Sequence, residues 1–155
     1  MVAVEIVGVR VEMPSNQPVL LLRETNGQRY LPIWIGVSEA TAIAFAQQGI
    51  QPPRPLTHDL IKDLLDAFGI TLVHVEIPEL RDGVFYAFLI FSNGVRVSAR
   101  PSDAIAVALR TGSDVAVAED VLDAAGIELA GDEESEVEAF REFLDTVTPE
   151  DFEAQ

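Results

Sequence analysis

Three two-residue signals, Asn26-Gly27, Asp82-Gly83 and Asn93-Gly94, each separate two runs of strand-forming residues. Asn-Gly and Asp-Gly are preferred at the centre of type I′ hairpin turns, where φ is positive at both positions. Three such turns predict three hairpins, and so a mainly antiparallel sheet. Pro14-Ser15-Asn16 adds a turn between Val4–Val11 and Pro18–Arg23, which makes residues 1–35 an antiparallel meander. Val19-Leu20-Leu21-Leu22 does not alternate, so that strand is expected to be buried on both faces. The same holds for Val84–Phe91. Val95, Val97 and Ala99 alternate with Arg96, Ser98 and Arg100, the period of a half-buried strand.

Helices fall between these strands. Ser38 is expected to cap a helix over 39–48 that Gly49 closes. Thr57 is expected to cap a second over 58–68, with Leu60, Ile61, Leu64, Leu65 and Phe68 as one apolar stripe. Pro101 fixes φ at the first position of a third, which ends at Gly112. Residues 115–118 read as a short strand at most and 120–125 as a short helix. The helices sit in insertions and not in strict βαβ alternation, so the fold class is α+β: one domain over 1–130. Residues 131–135 read as an acidic linker, and a C-terminal helix is expected over about 136–146 within the tail 131–155.

The net charge of −16 is unevenly placed. Residues 113–155 hold fifteen of the 26 carboxylates and one of the ten cations, which leaves −14 there and −2 in residues 1–112. The body is nearly neutral and the C-terminal part is an acidic appendage. There is no cysteine, which removes disulfides, thiolate metal sites and cysteine nucleophiles. No apolar run approaches 18 residues and the start lacks a basic-then-apolar leader, so a cytoplasmic protein with no membrane span is expected. Phosphate loops, dinucleotide glycine fingerprints, HExxH and Gly-x-Ser-x-Gly are all missing.

Chemistry concentrates at two similar junctions. Arg54-Pro55-Leu56-Thr57-His58-Asp59 and Arg100-Pro101-Ser102-Asp103 both run Arg-Pro, then a hydroxyl, then Asp, then an apolar helix face. Helix N-termini with guanidiniums suit an anion such as phosphate. On these grounds Arg54 and Arg100 are phosphate clamps, and His58 is the acid or base. Asp59, Asp103 and Glu39 are oxygen ligands for Mg²⁺ or another divalent cation, and no organic cofactor is expected. The plain alternative is that Pro, Ser, Thr and Asp suit any helix start and that Arg beside Asp forms a local salt bridge. His74 reads as a partly exposed strand histidine and Trp34 as a core or interface anchor.

Leu31-Pro32-Ile33-Trp34-Ile35-Gly36 with Glu39-Ala40, then Arg54–Leu60, then Ser98–Ile105, resemble the bifunctional nuclease family in order and approximate spacing. The resemblance covers about residues 2–128, and the segment Phe140–Phe152 is similar to the short tail of many bacterial members. It implies an α+β fold, homo-oligomers and cleavage of both DNA and RNA. The matched positions are Glu39, Arg54, Thr57, His58, Asp59, Arg100, Ser102 and Asp103. A nearly neutral body has few cations to release counterions, so weak nucleic-acid binding is expected. The alternative is a non-catalytic oligomeric module for a protein or a small anionic ligand. The nuclease reading needs Arg54, His58, Asp59, Arg100 and Asp103 in one open pocket. The architectural reading predicts that they pair off in buried salt bridges.

Overall fold

The computed structural model describes residues 1–12 and 15–128. The expected acidic linker and C-terminal helix over 131–155 lie outside the described residues, as does Pro14 of the first turn. Eight strands form one sheet: β1 (Val2–Glu12), β2 (Gln17–Glu24), β3 (Arg29–Trp34), β4 (Leu72–Arg81), β5 (Val84–Phe91), β6 (Arg96–Ala99), β7 (Asp114–Val117) and β8 (Ile127–Glu128). Their spatial order is β6-β5-β4-β7-β1-β2-β3-β8. Every neighbouring pair is antiparallel except β4 and β7, which run parallel with Val75 beside Val115. Four helices complete the α+β fold: α1 (Val37–Gln48), α2 (Thr57–Phe68), α3 (Pro101–Thr111) and α4 (Glu119–Ala125).

All three hairpins form, but the turns differ. Only Asp82-Gly83 has positive φ at both residues (53° and 78°), the type I′ geometry of a two-residue loop. The β2–β3 and β5–β6 connections are four residues long, and Asn93 Oδ1 instead accepts the Val95 N–H at 3.0 Å. The 115–118 segment is more than a marginal strand: β7 joins the β1–β3 meander to the β4–β6 meander through pairs on both its edges.

α1 packs over β1 and β2, and α3 packs over β4 and β5 and beside α1. Beneath them Leu20, Leu22, Leu31, Ile33, Val75, Ile77, Phe85, Ile105 and Val107 make one continuous core. Val19, Leu21, Tyr30 and Trp34 form a second buried cluster on the opposite face of β2 and β3. The unalternating run Val19–Leu22 is therefore buried on both faces, as its composition requires.

β5 departs from that expectation. Phe85, Ala87 and Leu89 are buried, whereas Tyr86, Phe88 and Ile90 are only partly covered. Among the described residues no helix packs on the opposite face of this half of the sheet, and arginines cover its rings: Arg96 sits 3.6 Å over Phe88 and Arg81 4.5 Å over Tyr86. The α2 stripe also splits. Ile61 and Leu65 pack on the core, but Leu60, Leu64 and Phe68 are exposed. Val95 and Val97 are exposed too, because among the described residues β6 is an edge strand with a neighbour on one side only.

The helix starts lie slightly earlier than the capping residues suggest. α1 begins at Val37 after an extended Gly36, so Ser38 is inside its first turn. α2 begins at Thr57 itself, and Asp59 Oδ2 accepts the Leu56 N–H at 2.9 Å. This is the reach-back half of a capping box. α1, α2 and α3 each end on a glycine in the left-handed region. Arg29 fixes the β3–α4 corner through Glu24, Glu119 and Asp123.

Candidate functional site

Three helix starts meet at one guanidinium. Glu39 lies in the first turn of α1, His58 in the first turn of α2 and Asp103 in the first turn of α3, while Arg100 is the residue before α3. Arg100 Nη2 reaches Glu39 Oε1 at 2.6 Å and Asp103 Oδ2 at 2.8 Å, and its Nε donates to Asp103 Oδ2 at 2.9 Å. His58 Nε2 is 2.9 Å from Asp103 Oδ1. The two carboxylates hold the Arg100 guanidinium above its usual pKa, Glu39 contributing most. Arg100 stays half-exposed while the His58 ring is largely covered, so the cluster is anchored on one side and open on the other.

The geometry has a chemical consequence. An ionised carboxylate only accepts hydrogen bonds, so the neutral His58 ring facing Asp103 carries its proton on Nε2 and keeps its lone pair on Nδ1. Arg100 in turn fixes the Asp103 carboxylate. The order Arg100–Asp103–His58 thus sets a histidine tautomer in the way a triad carboxylate does.

Asp59 belongs to a different constellation. Its Oδ1 accepts from Arg110 Nε at 2.6 Å. Arg110 also donates from Nη1 to the Ala106 carbonyl at 2.8 Å and from Nη2 to the Ala42 carbonyl at 3.1 Å. This side chain is only 7% exposed and ties α1, α2 and α3 together. The Arg110 guanidinium, with the Leu56 N–H second, holds the Asp59 carboxyl below its ordinary range. The pair forms one wall of a pocket of about 460 Å³ whose lining includes Phe45, Pro53, Lys62 and Asp63. His58, Arg100 and Asp103 do not line it.

The six sequence candidates therefore divide. Glu39, His58, Arg100 and Asp103 come together, whereas Asp59, the residue after His58, pairs with Arg110. Arg54 is exposed on the loop before α2 and joins no ion pair among the described residues. All of them but Arg54 pair off, as the architectural reading requires, but of the partners only the Arg110 side chain is almost wholly covered. The cluster reads as neither an open pocket of free groups nor a sealed structural bridge. The metal expectation meets a specific arrangement: Glu39 and Asp103 share Arg100, and Asp59 faces Arg110. Among the described residues no group of three His, Asp or Glu side chains is placed to hold a metal ion. In this arrangement each of these carboxylates accepts from a guanidinium, Glu39 and Asp103 from Arg100 and Asp59 from Arg110.

Arg110 escaped the sequence reading. Its signal was available, since it is the one charged residue between Asp103 and Gly112 in an otherwise apolar helix. A charge in that setting demands a partner. Which partner was not legible, because Asp59 is 51 positions away.

The family model for the bifunctional nuclease domain matches residues 20–130. Two relatives, proteins of Mycobacterium tuberculosis strains CDC 1551 / Oshkosh and ATCC 25618 / H37Rv, are each 59% identical over 161 residues. The alignments cover 97% of this chain and 98% of each relative, and both relatives are described as uncharacterized.

Proposed function

Because the chain belongs to the bifunctional nuclease domain family, we propose that it hydrolyses phosphodiester bonds of DNA and RNA at the Arg100–Asp103–His58 cluster. The observation that carries this reading is the 2.9 Å contact between His58 Nε2 and Asp103 Oδ1 beside a half-exposed arginine. His58 Nδ1 takes a proton from water, and the water oxygen attacks phosphorus. The bond from phosphorus to the leaving ester oxygen breaks, and that oxygen takes a proton from solvent. Asp103 stabilises the imidazolium that forms. Arg100 binds a non-bridging phosphate oxygen through its exposed edge, and Arg54 supplies a second cation from the neighbouring loop.

Charge limits the binding. Glu39, Asp103 and Arg100 sum to −1, and the whole chain stands at −16, so affinity for a polyanion is low and salt-sensitive. The same charge favours a second reading, a non-catalytic oligomeric module. The two separate in one assay. Purified protein is incubated with single-stranded DNA and with RNA, with Mg²⁺ and with EDTA, beside His58→Ala and Asp103→Asn. Cleavage lost in both variants supports catalysis at this cluster. Cleavage that survives both changes, or is absent from the wild type, rejects it.

A further inference from the structure

Arg100 carries five N–H donors, one on Nε and two on each terminal nitrogen. Asp103 Oδ2 lies 2.9 Å from Nε and 2.8 Å from Nη2, so it covers the edge that those two nitrogens share. Glu39 Oε1 sits 2.6 Å from Nη2 and takes its second hydrogen. Among the described residues nothing accepts from Nη1. A phosphate gripped by a guanidinium fork needs two parallel N–H groups on neighbouring nitrogens. Both forks of Arg100 already have a carboxylate on one tooth. A phosphate is therefore left with Nη1 alone, beside Glu39.

Glu39 is held in this place. Its side chain is 15% exposed, and Arg100 is its hydrogen-bond partner. Its second oxygen lies over Gly36, where a Cβ would collide with Oε2. Gly36 precedes α1 with ordinary extended backbone angles, so the space above it, and not its own conformation, is what calls for glycine. Glu39, Asp103 and Arg100 sum to −1 beside a neutral His58.

We infer that Glu39 sets the ligand specificity of this site: it admits a singly charged phosphodiester and excludes a doubly charged phosphomonoester. The inference rests on the proposed function above, in which Arg100 receives the phosphate. An internal diester brings one negative charge to the cluster, whereas a terminal monoester brings about −1.5 to −2 near pH 7. The second charge of the monoester stands beside Glu39, because Glu39 and Asp103 already share Arg100. One such like-charge contact weakens binding about 10-fold. A diester gains that second charge only as water attacks, and the imidazolium of His58 then offsets it. Once His58 returns its proton to solvent, the product end is left as a monoester beside Glu39, which favours its departure. The substrate is thereby an internal linkage of a strand and not its phosphorylated end.

The test uses the full chain and reads binding, not cleavage. Thymidine 5′-monophosphate and its methyl ester differ by one methyl group and one charge. NMR titration near neutral pH is expected to show the methyl ester binding about 10-fold tighter than the monophosphate. Glu39→Gln keeps the shape of the side chain and removes its charge. It is expected to bring the two affinities within about 3-fold of each other, chiefly by tightening the monophosphate. A purely structural role for Glu39 would weaken both ligands alike and leave their ratio unchanged. Gly36→Ala drives the carboxylate from its place without touching its charge. It is expected to shrink the ratio as well, and it carries the test if Glu39→Gln does not fold. A wild-type preference for the monophosphate overturns the inference, as does a Glu39→Gln ratio equal to that of the wild type, or binding of neither ligand. The expected ratios in a protein that cleaves no oligonucleotide would reject the catalytic reading and leave this inference standing.

Discussion

Asp103 accepts on both oxygens: Oδ1 faces His58 Nε2 at 2.9 Å and Oδ2 faces Arg100 Nε at 2.9 Å. One carboxylate therefore joins the start of α2 to the residue that precedes α3, and it presents the histidine in a single tautomer.

If His58 is the base, His58→Ala lowers kcat/KM on single-stranded substrate by about 100-fold or more, the usual worth of positioned acid–base catalysis. Asp103→Asn is expected to lower it as well, because an amide can present its N–H to Nε2 and favour the wrong tautomer. Steady-state kinetics on both variants, with folding confirmed by circular dichroism, check this. A loss confined to KM would place the pair in binding.

Arg110→Ala is a stability prediction. It strands Asp59 without its guanidinium and removes donors from the Ala42 and Ala106 carbonyls. Breaking a buried pair costs about 3–5 kcal/mol, and the partial exposure of Asp59 lowers this to about 2 kcal/mol. The midpoint of urea unfolding measures it, and a shift within error of zero would contradict the structural role.

Acid should act through the same pair. Arg110 lowers the folded pKa of Asp59, and Arg29 lowers that of Glu24. A carboxyl with a depressed folded pKa binds its proton more readily in the unfolded chain. Its stabilisation is therefore complete above the unfolded value of about 4 and is lost as pH falls through the folded value. Stability is expected to decline below about pH 4, and the gap between wild type and Arg110→Ala to narrow there. Urea midpoints at pH 7 and pH 3 test this. A gap that is constant with pH would remove Asp59 as its source.

Residues 131–155 carry ten carboxylates and one arginine. Removing them is expected to raise the affinity for a single-stranded oligonucleotide, with a larger gain at low salt. Fluorescence anisotropy at two ionic strengths reads the effect. Equal binding by the two chains at matched salt would reject a masking role for the tail.

The dipeptides Asp82-Gly83 and Asn93-Gly94, the alternation in β6 and the glycines closing α1 and α3 determined the elements and the α+β class. These depend on φ preference and side-chain period, which are local. The first turns holding Glu39, His58 and Asp103 were legible for the same reason, since Pro, hydroxyl and carboxylate side chains suit helix starts whatever surrounds them. Tertiary structure alone decided which charges met. Asp59 follows His58 by one residue, yet 100° of helical rotation sends it to Arg110 in place of Arg100. Exposure at Leu60, Leu64, Phe68 and Val97 was likewise beyond local reading. Periodicity marks an apolar face, but whether that face is covered depends on strand order and on which elements pack beside it, and among the described residues β6 lies at the edge of the sheet.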